Sequence, residues 1–264
     1  MIFLSAVFFF VFFVVSFFVI FPRSGYAAPL SGKITVSAAI SLKNAFDEVA
    51  RVFEAGHPGV KVLFNFGASG NLMMQIEEGA PVDVFASAAE KQMDQLESKG
   101  LIAPGTRRNF AENTVVLVVP AGAEGAFFFV KSFRDLADPR VKRIAIGNPR
   151  SVPAGMYAEQ VLDYFRLKDS VGKKLIYGEH VRQVLEYVAR GEVDAGLVYS
   201  TDAMTAAGQV RVAATAPSAS HKPVVYPIAA IKGSANGNLA RAFISMVVST
   251  EGKNILRRYG FSAK

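Results

Sequence analysis

Cysteine is absent from all 264 residues of the chain. That removes thiol nucleophiles, zinc–thiolate clusters, disulfides and the lipidated cysteine of a lipoprotein in one step, and it makes an oxidising compartment harmless. Histidine is scarce, and His57, His180 and His221 have no recognisable triad context. Also missing are the phosphate-cradling Gly-x-x-x-x-Gly-Lys, a dinucleotide fingerprint and His-Glu-x-x-His. Gly67-Ala68-Ser69-Gly70-Asn71 fails the Gly-x-Ser-x-Gly nucleophile elbow at its last position. An enzyme is therefore disfavoured. The net charge of +7 comes from scattered short pairs such as Arg107-Arg108 and Lys173-Lys174 rather than a basic run interleaved with aromatics, so no nucleic-acid partner is expected.

Long apolar runs are likewise missing, apart from one. Residues Ile2 to Phe21 are apolar except for two serines and hold nine of the 22 phenylalanines. Beyond them the composition is that of an ordinary soluble protein, which excludes a polytopic membrane protein. Small residues at Gly25 and Ala27 offer a signal-peptidase site, so residues 1–28 read as an export signal and the mature chain as periplasmic. No Lys or Arg precedes the apolar run, and its length also suits an uncleaved membrane anchor. Both alternatives stay open.

The remaining length suits one large α/β domain or two of about 120 residues each. Ile34, Val36 and Ala38 alternate with polar residues, and Leu42, Ala45, Phe46, Val49 and Phe53 follow at helical spacing, which predicts a β-α unit. Val60 to Phe66 predicts a buried strand, and Leu72, Met73 and Ile76 the inner face of a second helix. Val82 to Ala86 predicts a third strand, after which Ser87-Ala88-Ala89-Glu90 reads as a capping box opening a helix that stops at Gly100. Strands are then expected at Thr114 to Val119, Arg143 to Ile146 and Ala195 to Tyr199, with helices near residues 156–166 and 181–190. Further strands at Val210 to Ala214 and Val224 to Ile231 precede one amphipathic helical segment from Leu239 through Leu256. The interrupted and resumed rhythm predicts two α/β domains, the first discontinuous (30–113 and 212–264) and the second covering 114–211.

Four strand ends lead through small or hydroxyl-bearing residues into helix starts: Ala38-Ala39-Ile40-Ser41, Gly67-Ala68-Ser69-Gly70, Ser151-Val152-Pro153-Ala154-Gly155 and Gly178-Glu179-His180-Val181. Each presents unpaired backbone N–H groups at the positive end of a helix dipole, which is where anions bind. Loops at strand C-termini line the crevice of an open α/β sheet, so two loops from each domain can converge on one ligand. Tyr199, at the end of its strand, can add a phenolic hydroxyl. His180 is expected to serve as a cap or surface residue.

The ordered set of Ala38-Ala39-Ile40-Ser41-Leu42, Phe66-Gly67-Ala68-Ser69-Gly70-Asn71-Leu72, Val152-Pro153-Ala154-Gly155-Met156-Tyr157, Asp194-Ala195-Gly196-Leu197-Val198-Tyr199 and Arg258-Tyr259-Gly260-Phe261 resembles the molybdate-binding proteins of ABC importers over residues 32–264. Asn148 stands where an Asp is common in that family, and Ile40 where an Ala is common. The resemblance implies a two-domain, type II periplasmic-binding-protein fold with the ligand cleft between its lobes. It implies molybdate or tungstate as ligand, an ABC permease as partner and a monomeric receptor. It also implies an oxyanion held by Ser41, Ser69, Ala154, Val181 and Tyr199, with no direct bond from protein to molybdenum and no cofactor.

Chemistry agrees with that implied shell. A fully deprotonated tetrahedral dianion offers only acceptors and suits a shell of donors, whereas phosphate, partly protonated near neutrality, would want an acceptor as well. Molybdate, tungstate and sulfate all satisfy the donor-only condition, so a sulfate-type receptor is the alternative. A periplasmic enzyme on the same fold is a weaker one.

Overall fold

The computed structural model describes residues 30–121 and 129–263. The expected leader, residues 1–28, lies outside the described residues.

The chain opens with β1 (Gly32–Ala39), a short 3-10 turn (Ile40–Leu42) and α1 (Lys43–Gly56). Ile34, Val36 and Ala38 of the strand and Ala45, Phe46, Val49 and Phe53 of the helix are all buried, as their two periodicities require. There follow β2 (Val60–Gly67), α2 (Ser69–Glu77), β3 (Val84–Ala86), α3 (Glu90–Ser98) and β4 (Arg108–Asn113). After Asn113 the chain enters a second sheet through β5 (Val115–Pro120), β6 (Ile144–Gly147), α4 (Pro153–Tyr164), α5 (Lys168–Val171), β7 (Leu175–Gly178), α6 (Val181–Ala189), β8 (Ala195–Tyr199), α7 (Ser200–Thr205) and β9 (Val210–Thr215). It returns with β10 (Val224–Ala230), α8 (Gly237–Val248) and α9 (Thr250–Arg258).

The first sheet has the order β2-β1-β3-β10-β4 and the second β7-β6-β8-β5-β9. In each, three parallel strands are followed by an antiparallel strand from a distant part of the chain, β10 in the first and β5 in the second. The two halves thus repeat one topology without repeating a sequence. Crossovers through helices account for the parallel part and place helix starts at one edge of each sheet. β9 pairs with β5 through Thr215, so the expected boundary at residue 212 falls inside a strand, and the chain leaves the second sheet only after Thr215.

Three local expectations are corrected. Ser87 does not close a capping box with Glu90: its hydroxyl donates to Ala89 O at 2.7 Å and accepts from Ala89 N at 3.2 Å, and α3 starts without a side-chain cap. The helix expected near 156–166 starts at Pro153, where proline's missing N–H costs nothing. The C-terminal segment is two helices, because Ser249 ends α8 and caps α9 by accepting from Gly252 N at 3.1 Å. β4 carries no alternation that marks it as a strand, and its pairing with β10 makes it one.

Candidate functional site

Ser41, Ser69, Ala154, Val181 and Tyr199, drawn from five separate elements, line one small cavity between the two sheets. Ser41 sits in the 3-10 turn after β1, and Ser69 opens α2 directly after β2. Neither of those starts has a side-chain cap, nor does α4, whose second residue is Ala154. At α6 the His180 ring Nδ1 accepts from Gln183 N at 3.0 Å, the expected capping role, and that bond leaves the Val181 amide ahead of it uncapped. Gly155 lets α4 press onto the end of β6, since a Cβ there would stand 1.9 Å from the Gly147 carbonyl oxygen.

The side-chain hydroxyls are held from behind. Ser69 is fully buried, and its Oγ accepts from the Ala88 amide at 3.0 Å, which leaves its own proton for another acceptor. Ser41 Oγ lies 3.0 Å from the Tyr226 hydroxyl, which also accepts from Asn113 Nδ2 at 3.2 Å. The Tyr199 hydroxyl is buried with no hydrogen-bond partner among the described residues. Burial pushes its phenol well above the ordinary tyrosine range, so it remains a neutral donor. Among the described residues, no carboxylate, ammonium or guanidinium lines the cavity. By contrast a groove of about 480 Å³ between α3 and α4 carries both signs, with Glu90 and Asp94 beside Lys91 and Lys222, and so lacks the donor-only lining of the cavity.

The halves touch across the cavity. Gly70 N donates to Ser151 O at 2.9 Å, bringing α2 against the loop before α4. Arg182, on the first turn of α6, donates through Nε to Asp202 Oδ1 at 2.5 Å and through its terminal nitrogen to Asn44 Oδ1 at 3.0 Å in the opposite half. Asp202 is fully buried, and desolvation raises its carboxyl to about 6, against the opposing pull of Arg182.

Gly70, Ala88, Asn113, Arg182, Asp202 and Tyr226 were not among the expected site residues. Gly70 had a sequence signal as the last residue of the Gly67-Ala68-Ser69-Gly70 turn, and Asn113 as the residue that immediately precedes the crossing between sheets. Tyr226 sits on the buried register of β10 with Val224 and Ile228 and reads as core. The remaining histidines stay apart from the cavity, with His57 Nδ1 2.8 Å from Phe53 O and His221 Nδ1 2.7 Å from Lys222 O. Among the described residues, no cluster of three His, Asp or Glu side chains is placed to hold a metal ion.

Residues 34–262 match the family model described as bacterial extracellular solute-binding protein. The molybdate-binding protein ModA of Haemophilus influenzae is 38% identical over 91% of this chain and 94% of its own length. That of Escherichia coli is also 38% identical, over 92% and 94%. The solved periplasmic molybdate-binding protein of Azotobacter vinelandii superposes with a TM-score of 0.77 at 25% identity, covering 88% of this chain and 99% of that one. The two-lobed periplasmic-binding-protein fold expected from the sequence is the fold observed.

Proposed function

Because the chain belongs to the bacterial extracellular solute-binding proteins, and within them to the ModA molybdate-binding proteins, we propose that it captures molybdate or tungstate outside the cytoplasm and hands it to an ABC import permease. The observation that carries this reading is the cavity itself: donors from both halves, a buried tyrosine hydroxyl without a partner, and no ionised side chain among the lining residues. Ser41, Ser69 and Tyr199 supply hydroxyl protons to the oxyanion, and Ala154 and Val181 supply backbone amides.

Hydrogen bonds to a charged group contribute roughly 1.5 to 3 kcal/mol each, so about six support micromolar to nanomolar binding once ordering and desolvation are subtracted. The protein bonds to oxygen, never to molybdenum, and uses no cofactor. It acts as a single chain, by binding rather than catalysis, and residues 1–28 direct its export. The two halves close on the ligand about the Asn113–Thr114 and 216–223 crossings.

Titration calorimetry on the mature chain tests the reading. Molybdate and tungstate are expected to give saturable heat and phosphate little. Comparable phosphate binding would defeat the donor-only shell, and tight sulfate binding without molybdate binding would assign the receptor to sulfate.

A further inference from the structure

The direction of every proton behind Ser41 can be deduced. A backbone amide only donates, so the Thr114 N–H, 2.9 Å from Asn113 Oδ1, fixes which end of that side chain is oxygen. Ser200 Oγ donates to the same oxygen at 3.0 Å. The opposite end, Nδ2, has only protons to give, and it gives them to Thr201 Oγ1 at 2.8 Å and to the Tyr226 hydroxyl at 3.2 Å. Tyr226 is therefore an acceptor toward Asn113, and its single proton must go elsewhere. The partner within reach is Ser41 Oγ, 3.0 Å away. With one lone pair filled by Tyr226, Ser41 turns its own proton into the cavity.

We propose that Asn113 and Tyr226 are positioning residues that set anion specificity, by locking the Ser41 hydroxyl as a donor toward the bound oxyanion and denying that position to a protonated one. Neither residue lines the cavity. Both act through Ser41, which is 3% exposed, while Tyr226 is completely buried. Burial also pushes the Tyr226 phenol far above its ordinary range, which keeps it supplied with the proton it passes on. Asn113 is the last residue of β4 and bonds to Ser200 and Thr201 of the second half, so the lock is anchored on both sides of the crossing. The inference rests on the oxyanion-binding reading and adds a source for its selectivity.

Two substitutions separate proton direction from general damage. Tyr226→Phe keeps the ring and removes the donor, freeing Ser41 to rotate. Asn113→Asp replaces the donor end by an acceptor. Tyr226 and Thr201 can both turn their protons toward it, whereupon Ser41 donates to Tyr226 and shows lone pairs to the cavity. The probes are molybdate and hydrogen arsenate in mildly alkaline buffer, which are tetrahedral dianions of equal charge that differ by one proton, so any change in local charge cancels in their ratio.

Calorimetric competition is expected to show the molybdate-to-arsenate preference falling about 3- to 10-fold in Tyr226→Phe and by more than about 10-fold in Asn113→Asp. A preference within about twofold of wild type in Asn113→Asp, or an equal weakening of both anions in both variants, overturns the inference while leaving the receptor assignment intact. Failure of the unaltered chain to bind molybdate or tungstate would instead remove the reading on which the inference rests. Should Tyr226→Phe not fold, the Asn113→Asp ratio alone decides.

Discussion

On the wall built by the first half, Ser41 and Ser69 already accept hydrogen bonds from Tyr226 and from the Ala88 amide, whereas across the cavity the Tyr199 hydroxyl has no partner among the described residues. The first arrangement is preorganised, because the hydroxyl protons are aimed before any ligand arrives and the serines belong to the fold's own bonding. The second is unsatisfied, because a buried phenol without a partner costs stability that only a ligand restores. First-wall substitutions should therefore damage folding and binding together, and second-wall substitutions binding alone.

The sharpest way to break that contrast is to keep the walls apart. A Cβ at Gly70 would stand 2.5 Å from the Ser151 carbonyl oxygen and 2.8 Å from its Cα, both backbone atoms that cannot swing aside. Gly70 lies inside α2 and has no positive φ, so the helix itself accepts alanine and the damage falls on the contact with Ser151. Gly70→Ala is expected to cost at least about 3 kcal/mol of oxyanion affinity by holding the second wall's donors away. Unchanged affinity would mean that the Gly70–Ser151 contact is not part of the bound state.

Next in size is Tyr199→Phe, expected to weaken molybdate binding by about 1.5 to 3 kcal/mol while the ligand-free chain gains stability from losing an orphaned hydroxyl. Chemical denaturation alongside calorimetry reads both, and a less stable ligand-free variant would contradict the assignment of that hydroxyl to the ligand. Ser69→Ala should behave oppositely. It is expected to weaken binding by about 1 to 3 kcal/mol and also to destabilise the ligand-free chain, since the buried Ala88 amide loses its acceptor. A Ser69→Ala variant as stable as wild type would erase the distinction between the walls.

The smallest effect concerns Asp202, whose carboxyl rises from its ordinary 3.8 to about 6 through burial. The folded chain holds this proton more tightly than the unfolded chain, so the group's contribution is greatest at low pH and drains away as pH climbs through about 6. Wild type is expected to lose about 1 kcal/mol between about pH 5 and pH 6 relative to Asp202→Asn in denaturant titrations. Parallel pH profiles would show that Arg182 holds the carboxylate ionised throughout.

Much of the fold was legible because strand and helix periodicities in this chain are clean: Ile34, Val36 and Ala38 announce β1, and Leu42 to Phe53 the helix behind it. All five expected site residues line one cavity because helix starts after strand ends are signalled by local residues such as Gly67-Ala68-Ser69 and Val152-Pro153-Ala154. What escaped depends on distance in sequence. Tyr226 meets Ser41 across 185 positions, and nothing in Val224 to Ala230 distinguishes its hydroxyl from a core ring. Likewise β4 becomes a strand only because β10 lies beside it, and Ser249 splits the final helical segment through a cap that competes with continuous amphipathic spacing.

Tungstate offers the most direct measurement, because its heavy atom scatters anomalously and can be located in a crystal of residues 30–264 without interpretation. One strong peak is expected in the cavity between the sheets, with its oxygens within hydrogen-bond reach of Ser41 Oγ, Ser69 Oγ, the Tyr199 hydroxyl and the Ala154 and Val181 amides. A peak seated instead on the basic pairs of the surface, with the cavity filled only by water, would contradict the account.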